Sequence, residues 1–127
     1  MLHFCASRQA RYFKHVGSFI GVKTPALAAL QKEHVGSNLL APWDIADELL
    51  RDVHHELKCC GVLTLHRNSK AAVGTVPLAR DSFRRVGQLL EDGFICDWAI
   101  CDTVGSRVLG EALKRHPSDI SLTSTLQ

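Results

Sequence analysis

Asp97-Trp98-Ala99-Ile100-Cys101-Asp102-Thr103-Val104-Gly105-Ser106-Arg107-Val108-Leu109-Gly110-Glu111-Ala112-Leu113 carries the periodicity on which the reading of this chain rests. Spacings of three and four link Trp98, Cys101, Gly105, Val108, Leu109, Ala112 and Leu113, which predicts one long helix with an apolar stripe. Asp102 falls inside that stripe, four residues after Trp98 and therefore above it on the same face. A carboxylate on a buried face costs free energy unless it is paired, hydrogen-bonded or lining a cleft. Two readings stand. In the first, Asp102 is buried and bonded to a neighbouring helix N-terminus or to an arginine, with Arg84, Arg85 and Arg107 as the nearest candidates. In the second, it stands beside an aromatic wall in a solvent-reachable groove where a cation is held.

Outward from this segment the chain reads as helices separated by short breaks, an all-α pattern. Residues before Gly17 form a weak first helix with Phe4, Ala10 and Phe13 as its apolar contacts, and Gly17 to Lys23 is a break. Thr24-Pro25 is a start signal, a hydroxyl followed by proline in the first turn. The helix Pro25–Val35 follows, with Ala26, Leu27 and Leu30 inward, and Gly36-Ser37-Asn38 stops it. Pro42-Trp43-Asp44 opens another helix through Leu50, its stripe formed by Ile45, Ala46, Leu49 and Leu50. His54 to Leu65 carries Leu57, Cys60, Gly61 and Thr64 on one side. Asn68 to Thr75 is a polar, small-residue break. Pro77 to Glu91 is helical, with Leu78, Phe83, Val86 and Leu90 as core candidates, and Asp92-Gly93 ends it. No segment holds the period-two alternation of a strand. Paired helices with short connections fit a bundle or an α-solenoid of HEAT type. Residues 1–117 are taken as one helical-repeat domain, and 118–127 as a frayed tail.

With 127 residues the chain suits a single domain with one core. Apolar residues at 46% and charged residues at 22% exclude a disordered composition. A net charge of +2 is too small to announce a nucleic-acid surface, which would have to come from local clustering. No apolar run approaches membrane-spanning length, and the N-terminus lacks the apolar core of a secretory signal. Five cysteines without framework spacing suit free thiols in a reducing, intracellular setting, cytoplasm or nucleus.

His54-His55-Glu56 with Cys59-Cys60 invites a metal reading, but zinc wants four convergent ligands at recognised spacings. The simpler account is a helix N-terminus with Glu56 facing the dipole and the cysteines filling core space. Neither a metal nor any other cofactor is expected. No basic neighbour in the sequence clearly activates a thiol for nucleophilic work. Trp43 reads as a hydrophobic staple or core residue, and Gly21 as backbone geometry before Thr24.

Three segments in order resemble the DNA alkylation repair family, the AlkD-type alkylpurine DNA glycosylases built from HEAT-like repeats. Phe19-Ile20-Gly21-Val22-Lys23-Thr24-Pro25-Ala26-Leu27 is similar to the family's Gly-Val-x-x-Pro-x-Leu signature. Leu49-Leu50-Arg51-Asp52-Val53-His54-His55-Glu56-Leu57-Lys58 is similar to its leucine and His-Glu helix start. Phe94-Ile95-Cys96-Asp97-Trp98-Ala99-Ile100-Cys101-Asp102 looks like its Asn/Asp-Trp-x-x-x-Asp active-site helix, continued by Arg107-Val108-Leu109-Gly110.

The resemblance implies a partial α-solenoid of HEAT-like antiparallel helix pairs, an armadillo-type superhelix. It also implies hydrolytic excision of cationic alkylated purines, of the 3-methyladenine and 7-methylguanine type, from double-stranded DNA. A cationic base is already a good leaving group, so catalysis needs chiefly electrostatic stabilisation of the sugar as positive charge moves onto it. Asp102 matches the family's catalytic carboxylate, and Trp98 the aromatic that presses on sugar and cation. Lys23, Lys70, Arg84 and Arg85, with Arg80, are the candidates for DNA phosphates. The family domain runs on for further helices with a catalytic-site arginine that no residue here matches. The expectation is therefore a truncated solenoid whose activity is weak or absent. The alternative is a non-catalytic helical module binding DNA or protein. An exposed last repeat, with Leu109, Ala112 and Leu113 uncovered, would favour self-association.

Overall fold

Local backbone chemistry sets the helix boundaries of this chain. The computed structural model describes residues 24–34 and 39–119. It contains α1 (Thr24–His34), α2 (Pro42–Leu50), α3 (His55–Arg67), α4 (Ser69–Val73) and α5 (Val76–Glu91). A last rod is formed by α6 (Trp98–Val104), a π-helical turn (Gly105–Leu109) and α7 (Gly110–Arg115). No strand occurs among the described residues, and the fold is all-α. The expected first helix, Gly21, Lys23, the Gly36-Ser37-Asn38 stop and the tail from Ile120 onward lie outside those residues.

Proline stands in the first turn of both α2 and α5, where its missing N–H is no loss. Thr75 caps α5, its Oγ1 accepting from the Leu78 N–H at 3.3 Å. At the other end Gly93 adopts φ 82°. Gly93 N–H then reaches the Leu90 carbonyl at 3.2 Å and Phe94 N–H the Leu89 carbonyl at 2.9 Å, closing α5 with a Schellman motif. The segment expected as an open break, Asn68 to Thr75, instead contains α4. Asn68 makes the difference: its Nδ2 donates to the Thr64 carbonyl at 2.8 Å, its Oδ1 accepts from Leu39 N–H, and its own carbonyl starts α4 by accepting from Ala72 N–H. A polar residue that serves two helices reads as a loop in the sequence alone.

The core joins Trp43, Ala46 and Leu50 of α2 to Val62 and Leu65 of α3, Ala72 and Val73 of α4, and Ala79, Phe83, Val86 and Leu89 of α5. Leu78 and Leu90, expected in that core, are 39% and 40% exposed; they flank the Ala79-Ser82-Phe83-Val86-Leu89 stripe at the two ends of the helix. Ala26 of α1 is exposed as well, and Gln31 is buried there instead. Trp43 is a core residue whose indole Nε1 donates to Ser82 Oγ at 2.7 Å; that hydroxyl donates in turn to the Ala72 carbonyl at 2.7 Å. Its buried polar atom is thereby satisfied.

The last rod corrects the stripe expected from its sequence. Ile100, Val104, Val108 and Ala112 face the core, whereas Trp98, Cys101 and Asp102 face outward. A strict spacing of four drifts by about 40° per step in an α-helix, or about 120° over this series. The π turn, in which Gly110 N–H bonds the Gly105 carbonyl, holds an extra residue and takes that drift back. Four residues that an α-helix would spread around its circumference thus stay on one face.

Candidate functional site

The connection from Asp92 to Asp97 delivers the outward face of α6 to its place, and cations hold it there. Arg51 lies 3.9 Å from the Asp92 carboxylate and 5.1 Å from the centre of the Phe94 ring. Lys58 is buried, and its Nζ donates to the Leu50 carbonyl at the end of α2 and to the Phe94 carbonyl, both at 2.7 Å. The same ammonium stands 5.6 Å from the Phe94 ring centre. Burial pushes its pKa below the usual 10.5, partly opposed by the charges of Cys96, Asp97 and Asp52.

Asp97 then starts α6. It is buried, and its Oδ1 accepts from Ile100 N–H at 2.8 Å, an N-cap that fixes the first turn. Its Oδ2 lies 3.9 Å from His55 Nδ1, so the N-terminus of α3 and the cap of α6 meet through this pair. In the sequence Asp97 reads as part of the helix; an aspartate directly ahead of a helical pattern is the N-cap signal that would have found its role. Nothing in the sequence marks Lys58 as buried.

On the outward face Trp98 is 64% exposed. Asp102 is exposed too, one turn further on and about 40° around the helix. No donor or cation among the described residues bonds the Asp102 carboxylate. The reading of Asp102 as a buried, satisfied ion pair is therefore overturned. Of its three candidate partners, Arg84 and Arg85 both bond Asp81, and Arg107 makes no such bond. Asp81 is held below the usual carboxylate range because those two arginines outweigh its partial burial.

Beside this face a cleft of about 220 Å³ opens between α3 and the last rod. Its walls include His55, Cys59, Leu63, Ile100, Thr103 and Arg107. Cys59 Sγ is 3.4 Å from His55 Nε2, a spacing that resembles an activated thiol. The electrostatics point the other way: burial, reinforced by Cys60, Asp97 and Glu56, pushes the thiol up to about 12. Cys59 is thus a protonated thiol at neutral pH. Among the described residues no group of three or more histidines, cysteines and acids is arranged to hold a metal ion.

Of the basic residues singled out for phosphates, Lys70 is exposed on α4, and Lys23 lies outside the described residues. Arg84 is exposed and shares Asp81 with Arg85, whose guanidinium also sits 5.7 Å from the Trp43 ring centre. Arg80 lies 3.5 Å from Asp119. The structure places Trp98 and Asp102 one turn apart on α6, Lys70 on α4, and Arg80, Arg84 and Arg85 on α5. No helix among the described residues is long and apolar enough to cross a membrane.

Comparison with known proteins finds no match among curated proteins and none among solved structures. A sequence model of the DNA alkylation repair enzyme family matches residues 5–126. That span includes every helix described above, the Asp97 cap and the face carrying Trp98 and Asp102. The chain belongs to the DNA alkylation repair enzyme family.

Proposed function

We propose that this chain excises cationic alkylated purines, of the 3-methyladenine and 7-methylguanine type, from duplex DNA by hydrolysing the N-glycosidic bond. One observation carries the reading: the Asp102 carboxylate is exposed, unpaired among the described residues, and one turn from an indole that is 64% exposed. In this proposal the alkylated base departs with the bonding electrons, which neutralise its charge. Positive charge moves onto the sugar, Asp102 stabilises it, and a water held by the carboxylate adds to the anomeric carbon and loses its proton. Trp98 presses its face against the sugar and the cationic base. The helix pairs serve as HEAT-like repeats that lay this face along the DNA. Lys23, Lys70, Arg84 and Arg85 are the proposed phosphate contacts, with the charge of Arg84 and Arg85 shared with Asp81.

The test is release of 7-methylguanine and 3-methyladenine from methylated duplex DNA by the purified chain and by Asp102→Asn. The loss of a transition-state carboxylate contact should slow release by about 10²–10³-fold while binding is little changed. Comparable release by the two proteins would remove Asp102 from the chemistry. Duplex binding without release would leave a non-catalytic module.

A further inference from the structure

Arginine carries charge at every working pH and presents five donors, so a protein that leaves one unpaired on its surface leaves a strong anion-binding group exposed. In this chain the described arginines are almost all engaged. Arg51 bonds Asp47, Arg67 bonds Gln31 and the Ala28 carbonyl, and Arg80 faces Asp119. Arg84 and Arg85 bond Asp81, and Arg115 bonds Glu111 and Ser69. Among the described residues, Arg107 is the one arginine with no carboxylate, carbonyl or hydroxyl partner.

Its position is as telling as its freedom. Arg107 lies in the π turn, five residues beyond Asp102 on the same rod, and lines the cleft with Thr103. Five residues carry Arg107 more than about 100° around the rod from Asp102, so it stands at the cleft-side flank of the Trp98 and Asp102 face, which a long side chain can span. On a strand whose sugar faces Asp102, the charges at that flank are the backbone phosphates beside the sugar. The π turn, closed by the Gly110-to-Gly105 backbone bond, buries Val108 and leaves the neighbouring Arg107 on the exposed side of the rod. Leu63 and Ile100 are the apolar part of the same cleft lining.

We infer that Arg107 is a positioning residue that clamps a backbone phosphate flanking the sugar that faces Asp102. The inference rests on the DNA-glycosylase reading of that face. The clamp sets the register of the lesion strand, and Asp102 then meets the sugar rather than its neighbour. Arginine suits this role better than lysine because its planar fork grips two phosphate oxygens at once.

The experiment measures binding and excision on a duplex with a single 7-methylguanine, using the full chain, Arg107→Gln, Arg107→Lys and Asp102→Asn. Arg107→Gln should weaken binding about tenfold at low salt and reduce the slope of log K against log salt by about one. Arg107→Lys should restore the slope and only part of the excision rate. A duplex with neutral methylphosphonates at the two phosphates flanking the lesion should lose affinity for the parent chain and none further for Arg107→Gln. An unchanged salt slope in a folded Arg107→Gln protein overturns the clamp even where the parent chain excises the base. A changed slope without excision by the parent keeps the clamp and overturns the glycosylase reading. No duplex binding by the parent overturns both.

Discussion

Lys58→Met isolates the one buried ammonium that ties the end of α2 to the connection ahead of α6. Methionine keeps most of the length and volume of the side chain, so little cavity opens and the loss is electrostatic. The substitution strands the carbonyls of Leu50 and Phe94, each now accepting at 2.7 Å, and removes the cation from beside the Phe94 ring. Two hydrogen bonds from a charged donor contribute roughly 3–6 kcal/mol together. Against this, the thioether avoids the desolvation penalty of an ammonium, which is several kcal/mol per ion in a protein interior. We expect a net loss of about 2 kcal/mol, which for a domain of this size lowers Tm by roughly 6–10 °C. Urea and thermal unfolding followed by far-ultraviolet circular dichroism measure it directly. A Lys58→Met protein as stable as the parent, or more so, refutes the reasoning. The ammonium would then be a buried charge whose apolar replacement is tolerated, as happens with some buried ion pairs.

Two further predictions use the same unfolding measurements. A Cβ on Gly61 would sit 3.0 Å from Leu50 Cγ, 3.2 Å from the Ala46 carbonyl oxygen and 3.2 Å from Leu49 Cβ. Two of those atoms are tied to the α2 backbone. Gly61→Ala should cost about 1 kcal/mol after the helix-propensity gain of alanine, and Gly61→Val roughly 3 kcal/mol; a stabilised Gly61→Ala protein would show that α2 yields easily. Cys59 makes stability depend on pH in the alkaline range. Below pH 9.0 the thiol is protonated folded or unfolded; from there to about 12 the unfolded chain gives up the proton and the folded chain keeps it, so stability falls as pH rises. The difference between the parent and Cys59→Ala profiles should grow by about 2 kcal/mol over that window, half the full linkage because the cleft admits solvent. A flat difference would place the thiol in water.

What the sequence revealed and what it hid divide along physical lines. Proline and glycine punctuation located α2, α5 and the stop at Gly93, because those signals act through the backbone of one or two residues. Trp98 and Asp102 were legible as a pair, since i and i+4 share a face whatever lies beneath it. Which face is buried was not legible. Trp98, Cys101 and Leu113 are apolar enough to suggest a stripe, and that stripe assumes a uniform α-helix. The competing series Ile100, Val104, Val108 and Ala112 is the one that packs, and it holds register only because the turn at Gly105–Leu109 is π-helical. A run of four apolar residues at an unbroken spacing of four is the signal that would have found it. Arg107 was hidden for a different reason: having no partner among the described residues depends on every other side chain around it.

Exposure of Asp102 also changes where its catalytic strength would come from. Two unit charges 4 Å apart interact by about 1 kcal/mol in bulk water and by about 4 kcal/mol at an effective dielectric of 20, near a protein surface. A carboxylate standing in water gives little help to a developing sugar cation. On the proposed reading the missing factor is the DNA itself, which displaces water as it docks, with Trp98 sealing one side. The carboxylate would then act strongly only in the complex. A clamp at Arg107 fits that logic, because it converts phosphate affinity into water exclusion at the sugar. Free nucleosides carrying the same lesion have no such phosphate and cannot cover the face. The chain should therefore release 7-methylguanine from duplex DNA far faster than from 7-methylguanosine at equal concentration. Equal acceleration of both substrates would show that Asp102 works without being covered.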